Sequence, residues 1–241
     1  MKKIKKAFGP VGVLFYIFGV LVGLTLIGVM VWGDFEAAMF DPSLSGDAAL
    51  KAFECPVMIT PRDELATVSV TLANETEKPL DYLFRLHISQ GYVSLMREVN
   101  SEYQVNPGES KQVHWEVNLD DRAYDRVILV NTYLFGRYQN PSRQAKCGIF
   151  VLDLPLLTGQ QVTWFASLAS LFGMVSGGGL WTAANWPIQE KRRNLGRLMA
   201  FLGLSVLTGL VTAFMGWWMI GVLMVLVCIF LMVASLRCLF N

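Results

Sequence analysis

From Val11 to Trp32 the chain runs 22 residues without a charged side chain, about the length a helix needs to cross a hydrocarbon core roughly 30 Å thick. Few folds accommodate such a run. A secretory h-region is typically about 7–15 residues and is followed by an A-x-A-like site. No clear site of that kind follows Trp32, so the run reads as an uncleaved anchor, with a signal peptide as the alternative. Three more apolar stretches follow at 162–186, 198–215 and 217–236, and none holds Asp, Glu, Lys, Arg or His. With 54% hydrophobic and only 16% charged residues, the composition excludes an ordinary soluble domain, in which roughly 25% are charged.

Cations orient the stretches. Lys2, Lys3, Lys5 and Lys6 precede the first, Lys191, Arg192, Arg193 and Arg197 lie between the second and third, and Arg237 follows the fourth. Cytoplasmic loops carry such excesses, so three clusters place both termini in the cytoplasm and 34–161 outside. The expected organisation is a basic cytoplasmic N-terminus (1–10), helix 1 (11–32), an extracytoplasmic connector (33–54), an external β-domain (55–153), helix 2 (162–186), a basic cytoplasmic loop (187–197), helix 3 (198–215), helix 4 (217–236) and a cytoplasmic C-terminus (237–241). A short helix from about Asp47 to Phe53, capped by Ser45, is expected within the connector. The lysine-rich start MKKIKKAFG points to a bacterial inner membrane.

Between helices 1 and 2 the hydrophobic period changes to two. Val68, Val70 and Leu72 alternate with polar neighbours, as do Tyr82, Phe84, Leu86 and Ile88, and Val113, Trp115, Val117 and Leu119. Each run predicts a half-buried strand. Val127–Val130 is continuously apolar, as a central strand would be, and Gly148–Leu152 predicts the last one. Turn chemistry at 74–79, 89–91, 106–108 and 140–141 separates them. About seven short strands in roughly 100 residues argue for an antiparallel sandwich of immunoglobulin type. The segments TVSVTLANETEKPL and VNPGESKQVHWEV resemble bacterial immunoglobulin-like modules, a resemblance that implies an architecture and no activity. The fold class is therefore four transmembrane helices plus an extracytoplasmic all-β immunoglobulin-like sandwich inserted between helices 1 and 2.

Cys55 and Cys147 fall at the starts of the first and last strands. Those strands can run side by side in such a sandwich, which makes the two thiols a candidate disulfide; two separate thiols are the alternative. His87 and His114 fall on outward strand faces, on different sheets, and make a poor metal site. Asp120, Asp121 and Asp125 read as a turn of solvated charges, and Asn74-Glu75-Thr76 matches a glycosylation acceptor. No catalytic constellation, cofactor site or small-molecule substrate site is recognisable. The net charge of +1 offers nothing to nucleic acid. The apolar stretches lack the buried charges on which proton relays and ion-coupled transport depend.

Small residues do recur at four-residue spacing: Gly19 and Gly23 in helix 1, Ala169, Gly173 and Gly177 in helix 2, and Ser205, Gly209 and Ala213 in helix 3. Such stripes let helix backbones approach closely, within the chain or against a partner's helix. Gly177, Gly178 and Gly179 form a candidate hinge, because three glycines weaken a helix by about 2–3 kcal/mol. The expected function is a non-catalytic accessory or scaffolding subunit, with the lipid bilayer and other integral membrane proteins as partners. The alternative is a surface-recognition protein that binds envelope glycan or peptide, with Tyr92, Tyr103, Tyr124 and Tyr138 as its stacking platform.

Overall fold

The computed structural model describes residues 2–63, 65–136, 141–187 and 190–240. Four helices, α1 (Lys2–Met39), α2 (Gly159–Ala184), α3 (Glu190–Phe214) and α4 (Trp218–Phe240), accompany a separate, mostly antiparallel β region. Residues 1–31 with 163–241 make up one compact unit, and residues 32–162 the other.

Among the described residues, three helices contain segments long and apolar enough to cross a membrane: Gly9–Met39, Arg192–Phe214 and Trp218–Ser235. The expected second span is a helix without charge, but its Gly, Ser, Thr, Gln and Trp residues dilute its hydropathy. Gly177–Gly179 do not interrupt it. Glycine keeps both helix hydrogen-bonding groups and costs a helix about 1 kcal/mol per residue, so the run weakens the helix without breaking it. A tight turn at Gly216, with φ +70°, joins α3 to α4.

The β region contains β1 (Ala48–Ala49), β2 (Phe53–Glu54), β3 (Met58–Ile59), β4 (Leu65–Ala73), β5 (Leu80–Gln90), β6 (Tyr92–Val105), β7 (Ser110–Asn118), β8 (Val127–Leu134) and β9 (Arg143–Val151). One sheet has the order β1-β9-β8-β5-β6, with β3 also on β9; the other is β2-β4-β7. Both enclose one core. Val68, Val70, Val113, Trp115 and Val117 come from the smaller sheet, and Phe84, Leu86, Ile88, Ile128, Val130 and Ile149 from the larger. All but Ile128, Val130 and Ile149 come from the period-two runs, so on β4, β5 and β7 alternation decides which face is buried. The Trp115 ring sits edge-on to Phe84 at 5.3 Å.

The connector departs from expectation. Helix α1 continues through Asp34 to Met39, and no helix follows Ser45; β1, a turn and β2 occupy that stretch. Acidic residues make 34–39 look like a loop, yet Ala37 and Phe40 are fully buried against Ala123, Val127 and Leu129, on the other face of the larger sheet. Gly33 makes the crossing possible. A Cβ on its neighbour Gly148 would stand 2.0 Å from the Gly33 carbonyl oxygen. Cys55 and Cys147 form a disulfide with Cα atoms 6.5 Å apart across 92 residues of sequence. It ties the link between β2 and β3 to β9, tethering the smaller sheet's first strand to the larger sheet. β3 and β9 run parallel there, with Met58 opposite Phe150.

Candidate functional site

The outer face of the larger sheet carries a polar cluster built on the segment after α1. Asp41 has φ +43°, an unusual conformation for a non-glycine residue, and its carboxylate turns onto β5. His87 Nδ1 lies 2.6 Å from Asp41 Oδ2. Ser43 donates through its hydroxyl to the other carboxylate oxygen. The Asp41 carbonyl accepts from Asn131 Nδ2 at 3.1 Å, and Asn131 in turn accepts from Gln144 at 2.8 Å. Lys146 Nζ donates to the Phe40 carbonyl at 2.9 Å. Burial pushes the Asp41 carboxyl up, but hydrogen bonds from Ser43 and His87 outweigh it and hold the group below the usual carboxylate range. Burial also pulls the Lys146 ammonium down, partly offset by the Asp41 charge.

His87 is therefore buried, at 6% exposure, where its position on the strand predicts an outward residue. It does face away from the shared core, but the segment bearing Asp41 covers that face. Its Nε2 stands 3.4 Å from Glu98 Oε2 on β6 without hydrogen-bond geometry. His114 is exposed on β7 of the other sheet. Ser43 donates to Asp41 and not to the imidazole, so the arrangement lacks the nucleophile–base bond of a hydrolytic triad. Among the described residues no group of three or more His, Cys, Asp or Glu side chains converges on a point that would hold a metal.

Beside this cluster lies a depression of about 450 Å³ lined by Met39, Asp41, Pro42, Tyr92, Ser94, Met96 and Tyr124. Gly91, at φ +72°, permits the register shift between β5 and β6. Its carbonyl accepts the Tyr124 N–H at 3.3 Å, which brings Tyr92 and Tyr124 to one rim, 66% and 55% exposed. Tyr103 is elsewhere, its ring 6.3 Å from Phe84, and Tyr138 lies outside the described residues.

Two expected surface features prove internal. Asp121 is buried and accepts a two-pronged bond from Arg97, at 3.0 and 2.8 Å, while capping Asn118 N; it is no solvated turn charge. Asn74 is likewise buried, its side-chain amide donating to the Lys78 and Val105 carbonyls, which withdraws it as a glycosylation acceptor.

In the helical unit the glycines meet across α1 and α2. A Cβ on Gly19 would lie 2.6 Å from Ser170 O, and one on Gly177 would lie 2.3 Å from Tyr16 N and 2.6 Å from Gly12 O. Gly173 approaches the Gly19 backbone in the same way, and Gly23 meets Ser170 Oγ. Ser170 Oγ donates to the Gly19 carbonyl at 2.8 Å. Gly12, Tyr16 and Ser170 complete this interface and were absent from the sequence pattern; Gly12 sits seven residues before Gly19, a two-turn spacing that would have revealed it. Ala169 is only half-buried beside Ser170. On α3, Gly209 receives Ile27 and Met224, Ala213 is buried, and Ser205 bonds its own helix at Phe201 O. Gly178 has only the Tyr16 ring at 4.0 Å, and Gly179 has nothing within 4 Å.

No family model matches this chain, and no curated protein matches it. Among solved structures it is similar over a limited region to two β-glucuronidases of Bacteroides uniformis. One is 12% identical over 43% of this chain and 12% of its own, at a TM-score of 0.29. The other, covalently bound to cyclophellitol-6-carboxylate aziridine, is 16% identical over 40% of this chain and 12% of its own, at the same TM-score. This chain thus spans about an eighth of either enzyme, and likeness at that level carries no argument about activity.

Proposed function

We propose that this chain is a non-catalytic accessory subunit of a membrane complex. In this reading all four helices cross the bilayer, with both termini cytoplasmic, and the two-sheet region is an immunoglobulin-like sandwich outside a plasma membrane. The supporting observation is α4. Only 11% of Trp218–Ser235 is buried, and exposed Leu223, Leu226, Phe230 and Val233 leave an apolar surface that its own bundle does not use. The polar cluster around Asp41 adds to this, since its hydrogen bonds are directed inward and serve to hold the chain segment in place.

The test is purification of the full-length chain from native membranes in mild detergent, with its mass measured by light scattering. The expected result is a defined particle larger than the 26.9 kDa chain containing a stoichiometric second protein, lost on Phe230→Lys. A monodisperse monomer would overturn the reading. A second reading, recognition of an envelope glycan or peptide, is favoured by Tyr92 and Tyr124 at one rim, because aromatic rings supply rigid stacking area. Retention on envelope fractions that disappears in Tyr92→Ala/Tyr124→Ala would select it.

A further inference from the structure

The helical unit contains an open groove of about 1010 Å³, at the upper end of the roughly 300–1,000 Å³ of small-molecule sites. Glycines on both helices line it: Gly178 and Gly179 on α2, with Gly179 open to the groove, and Gly196 and Gly203 on α3, set against the Trp181 ring and the Tyr16 hydroxyl. Leu171, Met174, Leu204 and Leu207 make its wall apolar, and Trp181, Trp186, Arg193 and Arg197 line the other end. The fourteen steps from Arg193 to Leu207 rise about 21 Å along α3, somewhat more than one leaflet of a hydrocarbon core about 30 Å thick.

Charge identifies the occupant. Arg193 and Arg197 are four residues apart, so they share one helix face, and both are exposed. Neither makes an ion pair among the described residues. Outside residues 34–161 the chain holds nine Lys and Arg but one acid, Glu190. A long apolar trough ending at two tryptophans and two exposed guanidiniums matches an acyl chain joined to an anionic headgroup, since arginine binds phosphate bidentately and basic pockets between helices take acidic lipids. We infer that the groove between α2 and α3 binds an anionic phospholipid, its phosphate on Arg193 and Arg197 and one acyl chain along Gly178, Gly179 and Gly203. The inference rests on the reading that these helices lie in a bilayer.

The test uses the full-length chain in phosphatidylcholine bilayers doped with brominated phosphatidylglycerol or brominated phosphatidylcholine, with tryptophan quenching as the readout. The signal that disappears on Trp186→Phe is expected to be quenched by brominated phosphatidylglycerol at about tenfold lower mole fraction than by brominated phosphatidylcholine. Inorganic phosphate should not compete. Arg193→Gln/Arg197→Gln should abolish the preference. Gly179→Leu should abolish it too, because a Cβ there has nothing within 4 Å and the added side chain enters the groove that Gly179 lines. Equal quenching by the two lipids, or a preference that survives in both variants, overturns the inference. Trp164 and Trp217 separate the two readings: if brominated phosphatidylcholine quenches them while the preference is missing, the bilayer reading stands and the groove assignment fails. If they are not quenched, both fail.

Discussion

The β region and the helical unit solve the same problem with opposite means. Around β5, β8 and β9 the chain is held by directed bonds between side chains: a disulfide, a carboxylate–imidazole pair, an arginine fork and a ladder of amides. In the helical unit the contact between α1 and α2 is made by removing side chains, so that Gly12, Gly19, Gly173 and Gly177 let backbone meet backbone. In water, apolar burial already drives collapse, and polar bonds add direction. In lipid, apolar surface gains little by leaving the solvent, and close packing must supply the attraction. On the proposed reading, in which the helices lie in a bilayer, the location of the polar and small residues follows from the solvent of each region.

The sharpest way to break this comparison is to add volume to the glycine interface. Gly173→Leu should cost more than about 4 kcal/mol, in the range reserved for severe overpacking. It should unfold the helical unit while the Trp115 fluorescence of the β region stays native; loss of both signals together would show the two regions to be one cooperative unit. Removing the disulfide by Cys55→Ala/Cys147→Ala should act in the converse way. Closure of a 92-residue separation is worth about 4–5 kcal/mol, read as a lower urea midpoint for Trp115 with helical content unchanged.

The Asp41–His87 pair comes next. His87→Ala leaves a buried carboxylate short of a partner and should cost about 3 kcal/mol. Because the folded Asp41 pKa lies below its ordinary value of 3.8, its contribution is complete above about pH 5 and falls away as pH drops through the folded value. Urea midpoints between pH 7 and 3 should show that loss, and Asp41→Asn should flatten it. The smallest effect belongs to Glu98→Gln. Its carboxylate is 44% exposed beside His87, and neither midpoint nor pH profile should move measurably.

Much of this arrangement was legible in sequence. Alternation located β4, β5 and β7, the unbroken run Val127–Val130 marked the strand buried on both faces, and the parallel neighbours of β9 brought Cys55 to Cys147. What escaped shares one cause: contact with a second layer changes what a residue means. Asp34 and Glu36 looked like a loop because nothing in sequence announces that Ala37 and Phe40 meet Leu129. His87 looked outward because the covering segment lies 46 residues earlier. β6 is polar at Arg97, Glu98, Asn100, Ser101 and Glu102, so only Val99, Tyr103 and Val105 reveal its inner face. The depression between Tyr92 and Tyr124 depends on a bulge that no local pattern encodes.

The outer side of β6 has a further consequence. Among the described residues it pairs with β5 alone, so alternate residues of its fourteen turn their backbone donors and acceptors to one free margin of the larger sheet. A margin that long is a template on which another copy could extend the sheet, and natural proteins guard such margins with charge. The alternation of Arg97, Glu98 and Glu102 with polar residues is then a solubility device. The same polarity that hid the strand from its hydrophobic pattern keeps neighbouring molecules from adding to it.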